Sequence, residues 1–353
     1  MRTAITALLV LLLCAPARAA QTLEVYFIDV EGGQATLFVS PLGETMLVDT
    51  GWPDAGGRDA DRIVSVAKLA GVKQIDYLVV THYHADHVGG VPQLADRIPI
   101  RTFVDHGPSV ETGPQADELF SAYLKVRDKG QHLLAKPGDW IPILGINVQV
   151  LTSAGNEIPE PLAAPFTTNP LCAGVKRKAN DTSENAQSVG MLITYGKFRM
   201  IDLGDLTWNK ELGLACPDNK IGDVDVYLST HHGLDLSGAP PLVQAMHPLV
   251  AVMNNGARKG GEPEAWQTIR TSPGLEDIWQ LHYALEAGQA NNAPQAFIAN
   301  MEEHCQGNWI KLSAEQDGQF TVTNSRNGKT KAYKPAVKNA TLTVGRASKD
   351  GLL

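Results

Sequence analysis

The chain has 353 residues, 43% of them hydrophobic and 19% charged, with 38 acidic side chains against 30 basic ones. That balance belongs to a globular protein and excludes a disordered or fibrous one. A net charge of −8 supplies none of the phosphate-directed attraction on which tight nucleic-acid binding rests, so no strong nucleic-acid partner is expected.

The first twenty residues, MRTAITALLVLLLCAPARAA, read as a signal peptide. They carry Arg2, an apolar core from Ala7 to Ala15, and Ala17-Arg18-Ala19 as a small-x-small cleavage site. The core is too short to span a bilayer, and no later stretch approaches a transmembrane length. The expectation is therefore an exported protein, periplasmic or secreted, with no transmembrane segment in the mature chain. Losing Arg2 and Arg18 takes the net charge from −8 to −10. Cys172, Cys216 and Cys305 then remain, with no CxxC pair among them. Export permits one bridge, for instance Cys172 to Cys216, and the spacing argues against a structural zinc–thiolate site.

LEVYFIDV and ATLFVS read as strands either side of a turn at Gly32 and Gly33, and ETMLVDTG as a third strand ending on Asp49. Ile63, Val64, Val66, Ala67 and Leu69 recur at helical spacing before a stop at Gly71. IDYLVV is a continuous apolar run, hence a buried strand, and THYHADHVGG follows it directly. DELFSAYLKVRDKG, residues 117–130, is a second helix. Residues 153–185 are rich in Pro, Asn, Ser and Thr, lack either period, and read as one long loop. SVGMLITYGKFRMIDLGD reads as a hairpin turning near Tyr195-Gly196. DVDVYLST is a strand ending at His231-His232, and LVAVMNN another ending near Asn255. DIWQLHYAL and WIKLSAEQDGQFTVTN add further strand, and 334–353 is a tail. Strands in each half with helices between them predict an α/β layered sandwich with two inner sheets, one domain over 21–333.

The chemistry concentrates in His82, His84, Asp86 and His87. Residues two apart on extended chain point the same way, so His82 and His84 face one direction. Asp86 and His87 face a second as the chain bends into Gly89 and Gly90. One segment thus offers two imidazoles to one ion and a carboxylate plus an imidazole to another, a nitrogen–oxygen mixture suited to Zn²⁺. Asp205, after the apolar run of MIDLGD, is placed to bridge two ions, and His231 and His232 close another strand. A buried acid at Asp49 serves better to orient a ligand imidazole than to bind metal itself.

THYHADHVGG carries the HxHxDH signature of the metallo-β-lactamase superfamily, and LVDTG, LGD and HHG follow in that family's order. NAQSVGMLITYGKFRMIDLGD with VDVYLSTHHG further resembles the hydrolase domain of the competence DNA-uptake protein ComEC and its freestanding relatives. The resemblance implies a four-layer αββα sandwich with metals at one edge of the sheets. It implies His82 and His84 on the first metal, Asp86 and His87 on the second, and Asp205 bridging. One of His231 and His232 completes the second site; His231 is preferred because it comes first after the strand, leaving His232 to support the site or face substrate.

One element of the superfamily pattern is missing. A typical member has another histidine between HxHxDH and the GD turn, but INVQVLTSAGN has none. His106 and His132 are the only histidines in that interval, and His106 is the one considered able to reach the site. Asn185 or Ser153 is the alternative oxygen ligand. The cofactor expected is one or two Zn²⁺ per chain, with Mn²⁺ as the alternative at a looser first position. The function expected is metal-dependent hydrolysis by a metal-bound hydroxide, steered by Asp86 or Asp205, on a phosphodiester or related ester. The competing readings are a lactam, lactone or amide hydrolase, and a metal-retaining binding protein without turnover.

Overall fold

The computed structural model describes residues 22–53, 55–162 and 168–334. The expected signal peptide, residues 1–20, and residues 335–353 of the expected tail lie outside the described residues. Six strands open the chain: β1 (Leu23–Phe27), β2 (Thr36–Val39), β3 (Thr45–Val48), β4 (Ile75–Val79), β5 (Ile100–Asp105) and β6 (Gln131–Leu134). Nine follow in the second half: β7 (Trp140–Ile141), β8 (Asn147–Ser153), β9 (Asn156–Glu157), β10 (Gly190–Tyr195), β11 (Phe198–Asp202), β12 (Val226–Leu228), β13 (Val250–Met253), β14 (Asp277–His282) and β15 (Ile298–Asn300). The last three, β16 (Ile310–Ala314), β17 (Phe320–Asn324) and β18 (Thr330–Tyr333), return to the first sheet.

That sheet runs β18-β17-β16-β1-β2-β3-β4-β5-β6, and the second β15-β14-β13-β12-β11-β10-β8-β7, with β9 on β8. The hairpin expected near Tyr195-Gly196 is β10–β11, with Tyr195 opposite Phe198. Sequence patterning does not anticipate β18, which pairs antiparallel with β17.

Three apolar layers separate the elements. Phe27, Phe38 and Val48 of the first sheet pack against Val148, Met191, Met200 and Trp279 of the second. The other face of the first sheet, with Leu37, Leu47 and Leu78, lies on α1 (Arg58–Leu69), α3 (Val91–Ala95) and α4 (Pro114–Arg127) through Ile63, Leu94 and Tyr123; the one-turn α2 (Ala85–Val88) lies within the histidine motif. The outer face of the second sheet, with Leu192, Ile201 and Tyr227, lies on α5 (Trp208–Ala215), α6 (Pro240–Val243) and α7 (Pro263–Arg270) through Leu214, Leu242 and Trp266. The fold is the four-layer αββα sandwich of the metallo-β-lactamase type. Burying both faces of both sheets explains why IDYLVV and VDVYLS read as unbroken apolar runs rather than alternating ones.

β3 to β6 run parallel, as do β11 to β15. Their carboxyl ends meet at one edge, where open α/β sheets collect functional side chains. The described residues of 153–185 are mostly loop, with a short strand at β9 and one-turn helices at Pro170–Cys172 and Glu184–Gln187. A disulfide joins Cys172 to Cys216 at the end of α5, and Cys305 is free.

Candidate metal centre

The motif leaves β4 as extended chain through His84, then turns into α2. Gly33 in the turn after β1 comes so close to this segment that a Cβ on it would lie 2.4 Å from the Asp86 carbonyl oxygen. Gln34 N–H donates to that oxygen at 3.1 Å. The turn at Gly32 and Gly33 thus forms one wall of the metal edge.

Asp86, His87, Asp205 and His232 are all buried, and one ligand atom from each lies within 4.8 Å of the others. His87 Nε2 is 3.2 Å from Asp86 Oδ2 and 3.2 Å from Asp205 Oδ2. His232 Nε2 is 3.2 Å from Asp86 Oδ2, 3.3 Å from Asp205 Oδ1 and 3.2 Å from His87 Nε2. Donors about 2.0 Å from a tetrahedral ion stand roughly 3.3 Å apart, so the four residues fit a divalent cation. They suit the nitrogen–oxygen preference of Zn²⁺.

The electrostatics favour positive charge. Burial pushes the Asp86 and Asp205 carboxyls up, but the surrounding imidazoles, with Lys259 at Asp86, outweigh it and hold both well below the carboxylate range. Burial opposes a proton on His87, yet Asp205, Asp86 and Asp49 together raise it well above its ordinary value. His82 goes the other way: burial and the neighbouring His87 hold it well below, so its imidazole is neutral.

Hydrogen bonds around the rings set their orientation. Asp49 accepts from His87 Nδ1 at 2.7 Å, from Thr81 N at 2.8 Å and from Thr81 Oγ1 at 2.7 Å, the carboxylate–histidine support that ligand imidazoles require. His84 Nε2 meets Glu111 Oε1 at 3.1 Å. His82 Nε2 is buried without a partner, 4.0 Å from Asp205 Oδ2.

The residue grouped with Asp86, His87 and Asp205 is His232, whereas the sequence reading prefers His231. His231 and His232, three and four residues past β12, are both left-handed, with φ of 56° at each, and their rings lie 67° apart in plane. His232 turns toward Asp86 and His87, while His231 stands beside Asp205 Oδ2 at 3.3 Å. His106 does not join the group either. Its Nε2 bonds Glu184 Oε2 at 2.9 Å, and Glu184 accepts from Tyr83 N, which braces the motif from below. His132 Nε2 is paired with Asp105 at 2.9 Å, and Ser153 Oγ donates to Ala135 O at 2.8 Å. Asn185 Oδ1 is buried without a partner, on a segment tied to the motif by Val189 N–H donating to Thr81 O at 2.9 Å.

Sequence reasoning missed Glu111, Lys259 and Glu184. NNGARKGG, residues 254–261, packs on the site: Gly261 N–H donates to His232 O at 2.9 Å, and Lys259 Nζ contacts Asp86 Oδ2 while lying over the Trp52 ring. A cavity of about 610 Å³, lined by Glu111, Lys178, Ser183, Thr207, Trp208 and Leu236, adjoins His84 through Glu111.

A second polar group, Asp29, Glu31, His282 and Cys305, gathers at the ends of β1 and β14. There Arg62 bonds Asp29 at 2.8 Å and Glu31 at 3.1 Å, balancing the carboxylates, and burial next to Asp29 pushes the Cys305 thiol up to about 12. It reads as a buried ion network.

Residues 28–171 match the family model described as Metallo-beta-lactamase superfamily. Hydroxyacylglutathione hydrolase of Klebsiella pneumoniae is 29% identical over 85 residues, 24% of this chain and 27% of that one. An atrochrysone carboxyl ACP thioesterase of a Cryptosporiopsis species is 33% identical over 87 residues, 24% of this chain and 26% of its own. The aligned stretch spans about a quarter of each of these curated relatives. Among solved structures, the metallo-β-lactamase fold protein YhfI of Bacillus subtilis superposes with a TM-score of 0.44 at 13% identity, covering 74% of this chain and 96% of that one.

Proposed function

We propose that this protein is a metal-dependent hydrolase whose centre is Asp86, His87, Asp205 and His232, with His82 and His84 holding a second ion beside it. The observation that carries the reading is the 3.2–3.3 Å spacing of buried donors around one point. A divalent ion bound there supplies Lewis acidity and a water acidified toward neutral pH. The chain's own groups do the rest. Asp49 and Glu111 hold the His87 and His84 rings in place. Asp86 and Asp205 accept hydrogen bonds from the attacking water and orient it. Lys259, at the rim, and Lys178, in the adjoining cavity, offer positive charge to an anionic substrate.

The proposed substrate is a phosphodiester or related ester, on the likeness of the N-x-x-S strand, GD turn and HHG strand end to the ComEC-type hydrolase domain. The names of the two matched relatives, a hydroxyacylglutathione hydrolase and an acyl-carrier thioesterase, favour a thioester as the second reading. Hydrolysis of bis(p-nitrophenyl) phosphate, an acyl thioester and a β-lactam, with Zn²⁺ or Mn²⁺ restored, separates these. Phosphodiester turnover above the other two is expected. Thioester turnover alone overturns the phosphodiester assignment, and bound metal without turnover on any probe overturns the enzyme.

Export is proposed on the N-terminal twenty residues, and the Cys172–Cys216 bridge supports an oxidising compartment. N-terminal sequencing of the protein from culture fractions is expected to begin at Ala20 or Gln21; an intact Met1 in the cytosolic fraction overturns it.

A further inference from the structure

We infer that His231 supplies the third imidazole of the first metal position, in place of the histidine that the chain lacks before the GD turn. This rests on the metal-centre reading above. The warrant is where each ring keeps its proton, and that follows from the neighbours' own bonds rather than from the rings.

Ser237 Oγ donates to Leu206 O at 2.7 Å, which uses its only proton. Its contact with His231 Nδ1 at 3.2 Å is therefore made by Nδ1–H, and Nε2 carries the lone pair. That lone pair faces Asp205 Oδ2 at 3.3 Å. Two acceptors so close repel one another unless a cation lies between them.

His82 obeys the same logic. Thr81 Oγ1 spends its proton on Asp49 Oδ2 at 2.7 Å, so it accepts from His82 Nδ1–H at 3.1 Å. The His82 Nε2 lone pair is buried, unpartnered and 4.0 Å from the same Asp205 Oδ2. His84 donates Nε2–H to Glu111, which leaves Nδ1 as its ligand atom. Its ring centroid is 4.7 Å from that of His82. The lone pairs of His82 and His231 thus both face Oδ2 of Asp205, at 4.0 and 3.3 Å, while His232 meets Oδ1 of the same carboxylate.

The turn is built to present both rings. His231 and His232 are consecutive left-handed residues other than glycine, and such strain persists where the surroundings hold it. The arrangement lets one His-His pair serve both positions, one imidazole to each.

The test is metal stoichiometry and affinity of the full chain, stripped with chelator and titrated with Zn²⁺ by calorimetry, with Co²⁺ absorption as a second readout. Wild type is expected to take two ions. His231→Gly, which keeps the left-handed turn, is expected to take one, or to bind the other at least 100-fold more weakly. Ser237→Ala, which removes the bond to His231 Nδ1 and leaves every proposed ligand in place, is expected to weaken that same ion about 10–100-fold. His232→Gly is expected to remove the opposite ion, so the two variants leave different Co²⁺ spectra. Two ions with unchanged affinities in His231→Gly overturn the inference, as does a single ion in wild type. Loss of no ion in either His231→Gly or His232→Gly overturns the metal-centre reading itself.

Discussion

At the scale of single residues, the site works through hydrogen bonds that aim lone pairs, and this makes its supporting residues measurable. Asp49 takes three bonds, one of them from the candidate ligand His87. Asp49→Asn keeps the shape but removes the charge behind that imidazole, and a 10–100-fold loss of metal affinity in chelator competition is the expected outcome. Unchanged affinity contradicts the supporting role. Lys259→Met is expected to raise KM roughly tenfold for an anionic ester and to leave a neutral ester unaffected, because the ammonium is the cation nearest Asp86. An equal effect on both esters contradicts the charge role. His82, His84, Asp86 and His87 were legible because they are local in sequence and their spacing states their direction. Glu111, Ser237 and Lys259 were not, since each reaches the site only when distant strand ends meet. The choice between His231 and His232 was illegible for another reason: two adjacent left-handed residues break the alternation by which a strand end is read.

At the scale of elements, the short pieces around the edge carry the positioning. The motif ends in two glycines because α2 must turn back beneath the strand end. A Cβ on Gly90 would lie 2.1 Å from the Thr50 carbonyl oxygen. Gly90→Ala is expected to destabilise by about 1–3 kcal/mol and to weaken metal binding, read by denaturant unfolding and zinc titration. Wild-type stability would show that the approach is looser than the geometry states. The Cys172–Cys216 bridge pins the long loop beside the cavity to α5 across a separation of 44 residues. Reducing it is expected to cost about 2–5 kcal/mol. A melting temperature unchanged by reductant contradicts that contribution. Helix α1 and the β10–β11 hairpin were readable because their apolar periods span several turns or registers. β6 is exposed along its whole length and β7 is two residues long, so neither leaves an apolar pattern to find.

At the scale of the whole molecule, two sheets back to back give one rigid edge, and the buried acids beneath it set a pH response. Glu211 accepts from Gly238 N at 3.0 Å and Ala239 N at 2.8 Å, just below the turn that holds Ser237. Burial raises its carboxyl from 4.5 to about 7. The unfolded chain therefore loses this proton near pH 4.5 while the folded chain keeps it to about 7, so stability from this group falls as pH rises across that window and is flat above it. Glu211→Gln is expected to flatten the fall in melting temperature between those pH values; an identical profile contradicts the assignment. The layered architecture was legible because continuous apolar runs followed by polar strand ends describe sheets covered on both faces. The order of the strands was not, since β16 to β18 join the first sheet from the far end of the chain. The central claim is that the edge holds divalent metal and hydrolyses with it. The most direct test measures metal content and ester hydrolysis of the purified full chain, then repeats both after chelation and after reloading. About two ions per chain, with turnover lost on chelation and restored on reloading, is the result predicted. Protein that retains no divalent ion, or turns over equally well without one, contradicts the account.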